Sequence, residues 1–203
     1  MSILGKLRFK DQAFKLREDA ILDATTRILV SKGFDLMTMD DVAQEVGISK
    51  PSLYKHFKSR EDLVTEAMIR LLDGAQEFWD SLPKTDNPIQ KMTSLLEWAM
   101  RVRLRGGMPF LPSTSPLVRE MLTRSMRYVA KVFKLNNVLM DAVKEAKASG
   151  LLRRDLPDDV ILFSFYSRTC DPAVEYLRIY SKMDEQDIVE FMIAGYFRGV
   201  QAE

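Results

Sequence analysis

The sequence predicts an all-α fold, three N-terminal helices followed by a longer helical bundle. Three observations carry that reading. Apolar residues recur at three-to-four spacing through most of the 203 residues. No stretch reads as a strand, an internal repeat or a low-complexity tract. Residues 38–57 read as a short helix, a glycine turn and a second short helix. At this length the chain forms one compact domain or two small ones sharing an interface.

The elements follow in order. After an N-terminal arm carrying Lys6, Arg8 and Lys10, residues 11–32 form an amphipathic helix with Phe14, Ile21, Ala24, Ile28 and Leu29 inward, and Gly33 stops it. Thr38 or Asp40 caps the next helix, whose apolar positions are Met39, Val42, Ala43 and Val46. Gly47 supplies a backbone that tolerates positive φ at the turn. Ser49 caps the third helix, with Pro51 in a first turn where its missing N–H is not needed. Leu53 and Phe57, four apart, point that helix inward. Ser59 caps a fourth helix, with Glu61 and Asp62 in its first turn, running to about residue 79. A fifth starts near Pro88 and ends before Gly106 and Gly107. Residues 106–116, with two glycines and three prolines, form an irregular connector. One long helix then covers residues 117–149, closed by Gly150. Another opens at Asp158 and bends at Pro172, and Met183 and Asp184 open the last.

Net charge is only +1, but its distribution is uneven. From residue 49 to 60 there are four basic residues (Lys50, Lys55, Lys58, Arg60) and no acidic one, whereas residues 155–203 hold ten acidic against four basic. A cationic patch on a short helix is the electrostatic footprint of a nucleic-acid binder. Cys170 is the single cysteine, which excludes a disulfide framework or a cysteine-rich zinc cluster within the chain. His56 is the single histidine and lies in the most basic segment, with no carboxylate near it in sequence to orient it, which argues against an enzyme. The sequence calls for no cofactor and no metal. No apolar run approaches the roughly 20 residues of a membrane span, so the expectation is a cytoplasmic protein without a membrane partner.

A helix-turn-helix places its second helix in the major groove, N-terminal residues toward base edges. Lys50 and Ser52 are then candidate base readers, Lys50 toward guanine O6 or N7, and Pro51 can contact a thymine methyl. Tyr54, Lys55, His56 and Lys58 are candidate phosphate contacts, which fix register and make binding salt-dependent. Thr38 adds one at the start of the first motif helix. Ser49 serves as cap before base contact.

The run Tyr54-Lys55-His56-Phe57-Lys58-Ser59-Arg60-Glu61-Asp62-Leu63 follows Gly47-Ile48-Ser49. Together with Arg17-Glu18-Asp19-Ala20-Ile21-Leu22-Asp23-Ala24 and Lys32-Gly33-Phe34 upstream, it resembles the signature of the tetracycline-repressor (TetR) family of regulators, over about residues 15–65. Val46 departs from that pattern, standing where the family often has alanine. The resemblance implies a DNA-binding domain over residues 1–58 and an effector-binding and dimerisation domain over residues 59–203. It also implies a homodimer on palindromic operator DNA, released by a small apolar or amphipathic effector. Met-rich and aromatic faces of the bundle suit such a ligand, with Trp98, Met121, Met126 and Phe133 as candidate lining residues. Arginines at 101, 103, 105, 119, 124 and 127 offer a partner for an anionic ligand. The last two helices resemble the dimerisation surface, through Phe163, Tyr166, Phe191, Tyr196 and Phe197.

Overall fold

In a computed structural model the chain is described for residues 3–108 and 116–202, with side chains from residue 11 onward. Among these residues the fold is helical: α1 (Ile3–Leu36), α2 (Met39–Val46), α3 (Lys50–Tyr54), α4 (Arg60–Ser81), α5 (Pro88–Leu104), α6 (Pro116–Thr123), α7 (Met126–Ala148), α8 (Asp158–Thr169), α9 (Ala173–Tyr180) and α10 (Glu185–Val200). A lone antiparallel bridge joins Leu152 to Gln201. No helix among the described residues is long and apolar enough to cross a membrane.

The local signals mostly act where they were read. Gly33 leaves helical geometry (φ 74°, ψ 170°) and interrupts α1. Thr38, not Asp40, caps α2, and Asp41 returns the bond to the Thr38 N–H in a reciprocal capping box. Gly47 adopts the left-handed conformation (φ 73°, ψ 33°), which turns α2 into α3. Ser49, Ser59 and Asp184 each cap the helix that follows. Asn87 adds a second capping box at α5, with Gln90.

Three expectations are corrected. The chain before residue 11 is not a separate arm, since α1 already runs from Ile3; the side chains of Lys6, Arg8 and Lys10 lie outside the described residues, as does much of the 106–116 connector, Phe110 included. The single helix over 117–149 is two, because Ser125 leaves helical geometry and its hydroxyl accepts the Tyr128 N–H, capping α7 instead of sitting on a helix face. The helix from Asp158 is also two: Pro172 cannot donate and disfavours helical geometry at the residue before it. There Asp171 accepts from the Ala173 N–H at 2.9 Å.

The helices enclose two apolar cores. The first, a head, gathers Ile21, Ala24, Met37, Val42 and Leu53 with Leu63, Val64, Ala67 and Met68 of α4. Val118 and Leu122 of α6 belong to the same core, and Val46 packs partly against it. The second, a bundle, joins Ala75 of α4 to Met92, Leu95, Leu96, Ala99 and Met100 of α5, and to buried residues of α7, α8 and α10. One helix, α4, therefore serves both. Its 22 residues span about 33 Å, long enough to reach from one core into the other.

Candidate nucleic-acid interface and effector cavity

Leu53 is fully buried and Phe57 nearly so, which fixes the roll of α3 and turns its remaining positions outward. Ser49, Lys50, Pro51, Tyr54, Lys55 and Lys58 are exposed and Ser52 is half-exposed; Thr38 is exposed at the start of α2. Tyr54 is 44% exposed, so it is not a core residue. These eight residues share the outer face of the motif.

Two of the basic or polar groups read from the sequence behave otherwise. The His56 side chain is only 2% exposed, with Nδ1 3.7 Å from Glu18. Its ring stacks on Phe14, 4.1 Å between centroids. Burial between α1 and α3 removes it from the phosphate contacts, and the carboxylate missing from its sequence neighbourhood arrives from α1. Arg60 was counted in the cationic run, yet its guanidinium donates to the Phe34 and Met37 carbonyls, both at 3.3 Å. It also lies over the Phe34 ring, 4.3 Å from its centre. Arg60 closes the α1–α2 junction from behind instead of facing outward.

The acids of α2 are matched by neighbouring cations. Arg27 pairs with Glu45 at 3.1 Å, Lys32 with Asp41 at 2.7 Å and Lys50 with Asp40 at 2.8 Å. Hydrogen bonds from Lys32 and Thr38 hold the Asp41 carboxyl below its usual range, and the Asp40 bond pushes the Lys50 ammonium up. The Lys50 pair is solvent-exposed on both sides. Solvent screens such exposed pairs, so releasing Lys50 toward a base costs little. Lys55 and Lys58 make no ion pair among the described residues.

A cavity of about 610 Å³ lies between α4, α7 and α8. Met68, Leu71 and Leu72 line it from α4, Tyr128, Val132, Phe133, Leu135 and Asn136 from α7, and Phe163, Tyr166, Ser167, Thr169 and Cys170 from α8 and its end. No charged side chain is among them. Desolvation keeps the Tyr128 and Tyr166 hydroxyls and the Cys170 thiol protonated, each pushed above its ordinary value.

Of the ligand candidates from the sequence, only Phe133 lines this cavity. Trp98 stacks on Phe78 across the α4–α5 contact, at 5.5 Å. Met121 packs against the head core from α6, and Met126 is 78% exposed at the start of α7. None of the six arginines reaches the lining: Arg101, Arg103, Arg124 and Arg127 pair with Glu97, Glu175, Glu120 and Glu66. The α4 contribution went unread, although Leu71 and Leu72 extend its apolar stripe beyond what the head needs.

The dimer candidates divide. Phe163 and Phe191 are large aromatics, 61% and 60% exposed, and Phe163 also lines the cavity. Tyr166 faces the cavity. Tyr196 and Phe197 are buried, and the Tyr196 hydroxyl donates to the Ile161 carbonyl at 2.9 Å, so both belong to the bundle core and are withdrawn from the surface.

Comparison with known proteins agrees with this geometry. Residues 21–67 match the family described as bacterial regulatory proteins, tetR family. The HTH-type transcriptional repressor KstR2 of Mycolicibacterium smegmatis is 32% identical over 80 residues, so the match spans only 39% of this chain and 39% of that relative. The solved structure of the ketosteroid transcriptional regulator KstR2 of Mycobacterium tuberculosis has the same fold, with a TM-score of 0.70 at 20% identity over 92% of this chain and 96% of that one. AibR, solved with isovaleryl coenzyme A and operator DNA, superposes with a TM-score of 0.70 at 21% identity over 89% of this chain and 98% of that one. Over residues 21–67, its helix-turn-helix head, the chain is thus similar to the tetR family of bacterial regulatory proteins.

Proposed function

We propose that the chain is a homodimeric transcriptional repressor, working in the cytoplasm without catalysis. It reads a palindromic operator through α3 and leaves it when a small apolar or amphipathic effector fills the cavity. The observation that carries the reading is Met68: it lines the cavity and is also part of the head core. A molecule in the cavity therefore presses on the helix that supports α2 and α3. The docking of α6 on the head, through Val118 and Leu122, gives the bundle a second hold on it. Two sites and one shared rigid element are the physical basis of a coupling, ordinarily about 1–3 kcal/mol.

Residues 1–58 carry the DNA contacts in this reading and residues 59–203 the effector and the dimer contacts. Lys50, Pro51 and Ser52 meet base edges. Thr38, Tyr54, Lys55 and Lys58 meet phosphates, and Ser49 holds α3 in place as its cap. The similarity to the KstR2 repressor supports repression, and operator DNA bound to a protein of the same fold supports the docking mode. Phe163 and Phe191 supply the apolar centre of the two-fold interface, which sets the distance between recognition helices.

The test is anisotropy titration on enriched and on random duplex DNA across a salt series. Lys55→Ala and Lys58→Ala weaken binding to every sequence, and each lowers the slope of log affinity against log salt by about 0.9. Lys50→Ala alters base preference instead. Equal losses on both DNAs for all three variants would remove Lys50 as a base reader.

A further inference from the structure

The cavity lining separates into groups already satisfied and groups left open. Ser167 donates to the Phe163 carbonyl at 2.9 Å, and Thr169 to the Tyr166 carbonyl at 2.7 Å, so both donors are used within α8. The Cys170 thiol lies 3.6 Å from the Thr169 hydroxyl. By contrast, the Tyr128 hydroxyl and the Asn136 carboxamide make no hydrogen bond among the described residues, and both line the cavity. They stand eight residues apart on one stripe of α7, about 12 Å along its axis, with Val132 between them.

The two positions also belong to different halves of the molecule. Tyr128 packs, with Leu71, against the head core that contains Met68. Next to Asn136, Leu135 is buried in the bundle core, where Leu72, Tyr166 and Cys170 also pack. The cavity thus runs from one core to the other, with an unpartnered polar group toward each end and apolar walls between. An ionised ligand would lose its hydration here with no counter-charge in the lining to replace it.

We infer that the effector is an uncharged, elongated, mainly apolar molecule with a hydrogen-bonding oxygen at each end. Tyr128 takes the end nearer the DNA-binding head and Asn136 the other. The inference rests on the effector reading proposed above and adds the ligand's chemistry and the division of labour along α7. Asn136 anchors the molecule, whereas Tyr128 ties its far end to the surface that supports α4.

The test uses the full chain and three probes: octanediol with a hydroxyl at each end, octanol and octanoate. Affinities come from calorimetry on the wild type, Tyr128→Phe, Asn136→Leu and the cavity-filling Leu72→Trp, with melting curves to verify folding. The ratio of octanediol to octanol affinity falls about three- to tenfold in each of the first two variants, the range of one lost hydrogen bond. Octanoate binds more weakly than octanol, and Leu72→Trp abolishes binding of all three. Octanol binding with an unchanged ratio in both variants, or a preference for octanoate, overturns the ligand chemistry while leaving the cavity as an effector site. No binding of any probe to the wild type overturns the effector reading itself.

Discussion

The head and the bundle are built to different degrees of completion. In the head, α2, α3 and α4 each begin at a side-chain cap, and the Phe34 and Met37 carbonyls are taken by Arg60. Asp40, Asp41 and Glu45 each have a cation. The bundle is capped as well, at α5, α7 and α10, but keeps an open cavity with unpartnered polar groups and exposes Phe163, Tyr176, Ile179, Tyr180 and Phe191 on α8, α9 and α10. A surface that must meet DNA in one orientation gains from being preformed. Under the proposed function, the bundle binds an effector and a second copy of the chain and is finished by what it binds.

The sharpest way to break this contrast is at Leu53, which has no solvent exposure in the head core. Leu53→Ala costs about 2–5 kcal/mol through lost burial and the cavity left behind. It also abolishes DNA binding, as denaturant titration and anisotropy would record. A head that tolerates the change is not the rigid unit described here.

Arg60→Met separates structure from phosphate contact. Losing its charge-assisted bonds to the two carbonyls lowers stability by about 1–3 kcal/mol. The salt slope of DNA binding stays as in the wild type, because Arg60 faces inward; a reduced slope would return it to the interface. In the bundle, Phe191→Ala changes monomer stability by less than about 0.5 kcal/mol. It weakens the dimer by about tenfold if the side chain sits at the centre of the interface. Sedimentation equilibrium reads that directly, and an unchanged dimer would move the interface elsewhere.

The smallest effect concerns pH. The Asp41 carboxyl is held below its ordinary value by Lys32 and Thr38, so its contribution is present above the unfolded value and is lost as pH falls through the folded one. Asp41→Asn therefore lowers the head's stability slightly at neutral pH, leaves it unchanged in acid, and so flattens the acid limb of the stability curve. An acid limb as steep as that of the wild type would show that the carboxyl is not held down in this way.

What the sequence made legible follows the same division. Caps, the turn glycine and the inward pair Leu53 and Phe57 act over a few residues, so local spacing discloses them. His56 and Arg60 were misread because their partners, Phe14, Glu18, Phe34 and Met37, come from α1 and the turn after it and leave no mark beside them. Trp98, Met121 and Met126 were chosen for ligand-like chemistry, but position in a bundle depends on which helices meet. The break at Ser125 decided that, by letting α6 dock on the head and α7 line the cavity. Tyr196 and Phe197 show the same limit, since an apolar helix face looks alike whether it meets its own core or a partner.

The most direct test of the account is selection of binding sites from random duplex DNA by the full chain, at two salt concentrations. A dimeric sequence reader enriches a palindrome with half-sites one helical turn, or a multiple of it, apart, weakened but unchanged in sequence at the higher salt. Salt-labile binding with no enriched sequence would contradict it, leaving the helix-turn-helix as scaffold for a ligand-binding bundle.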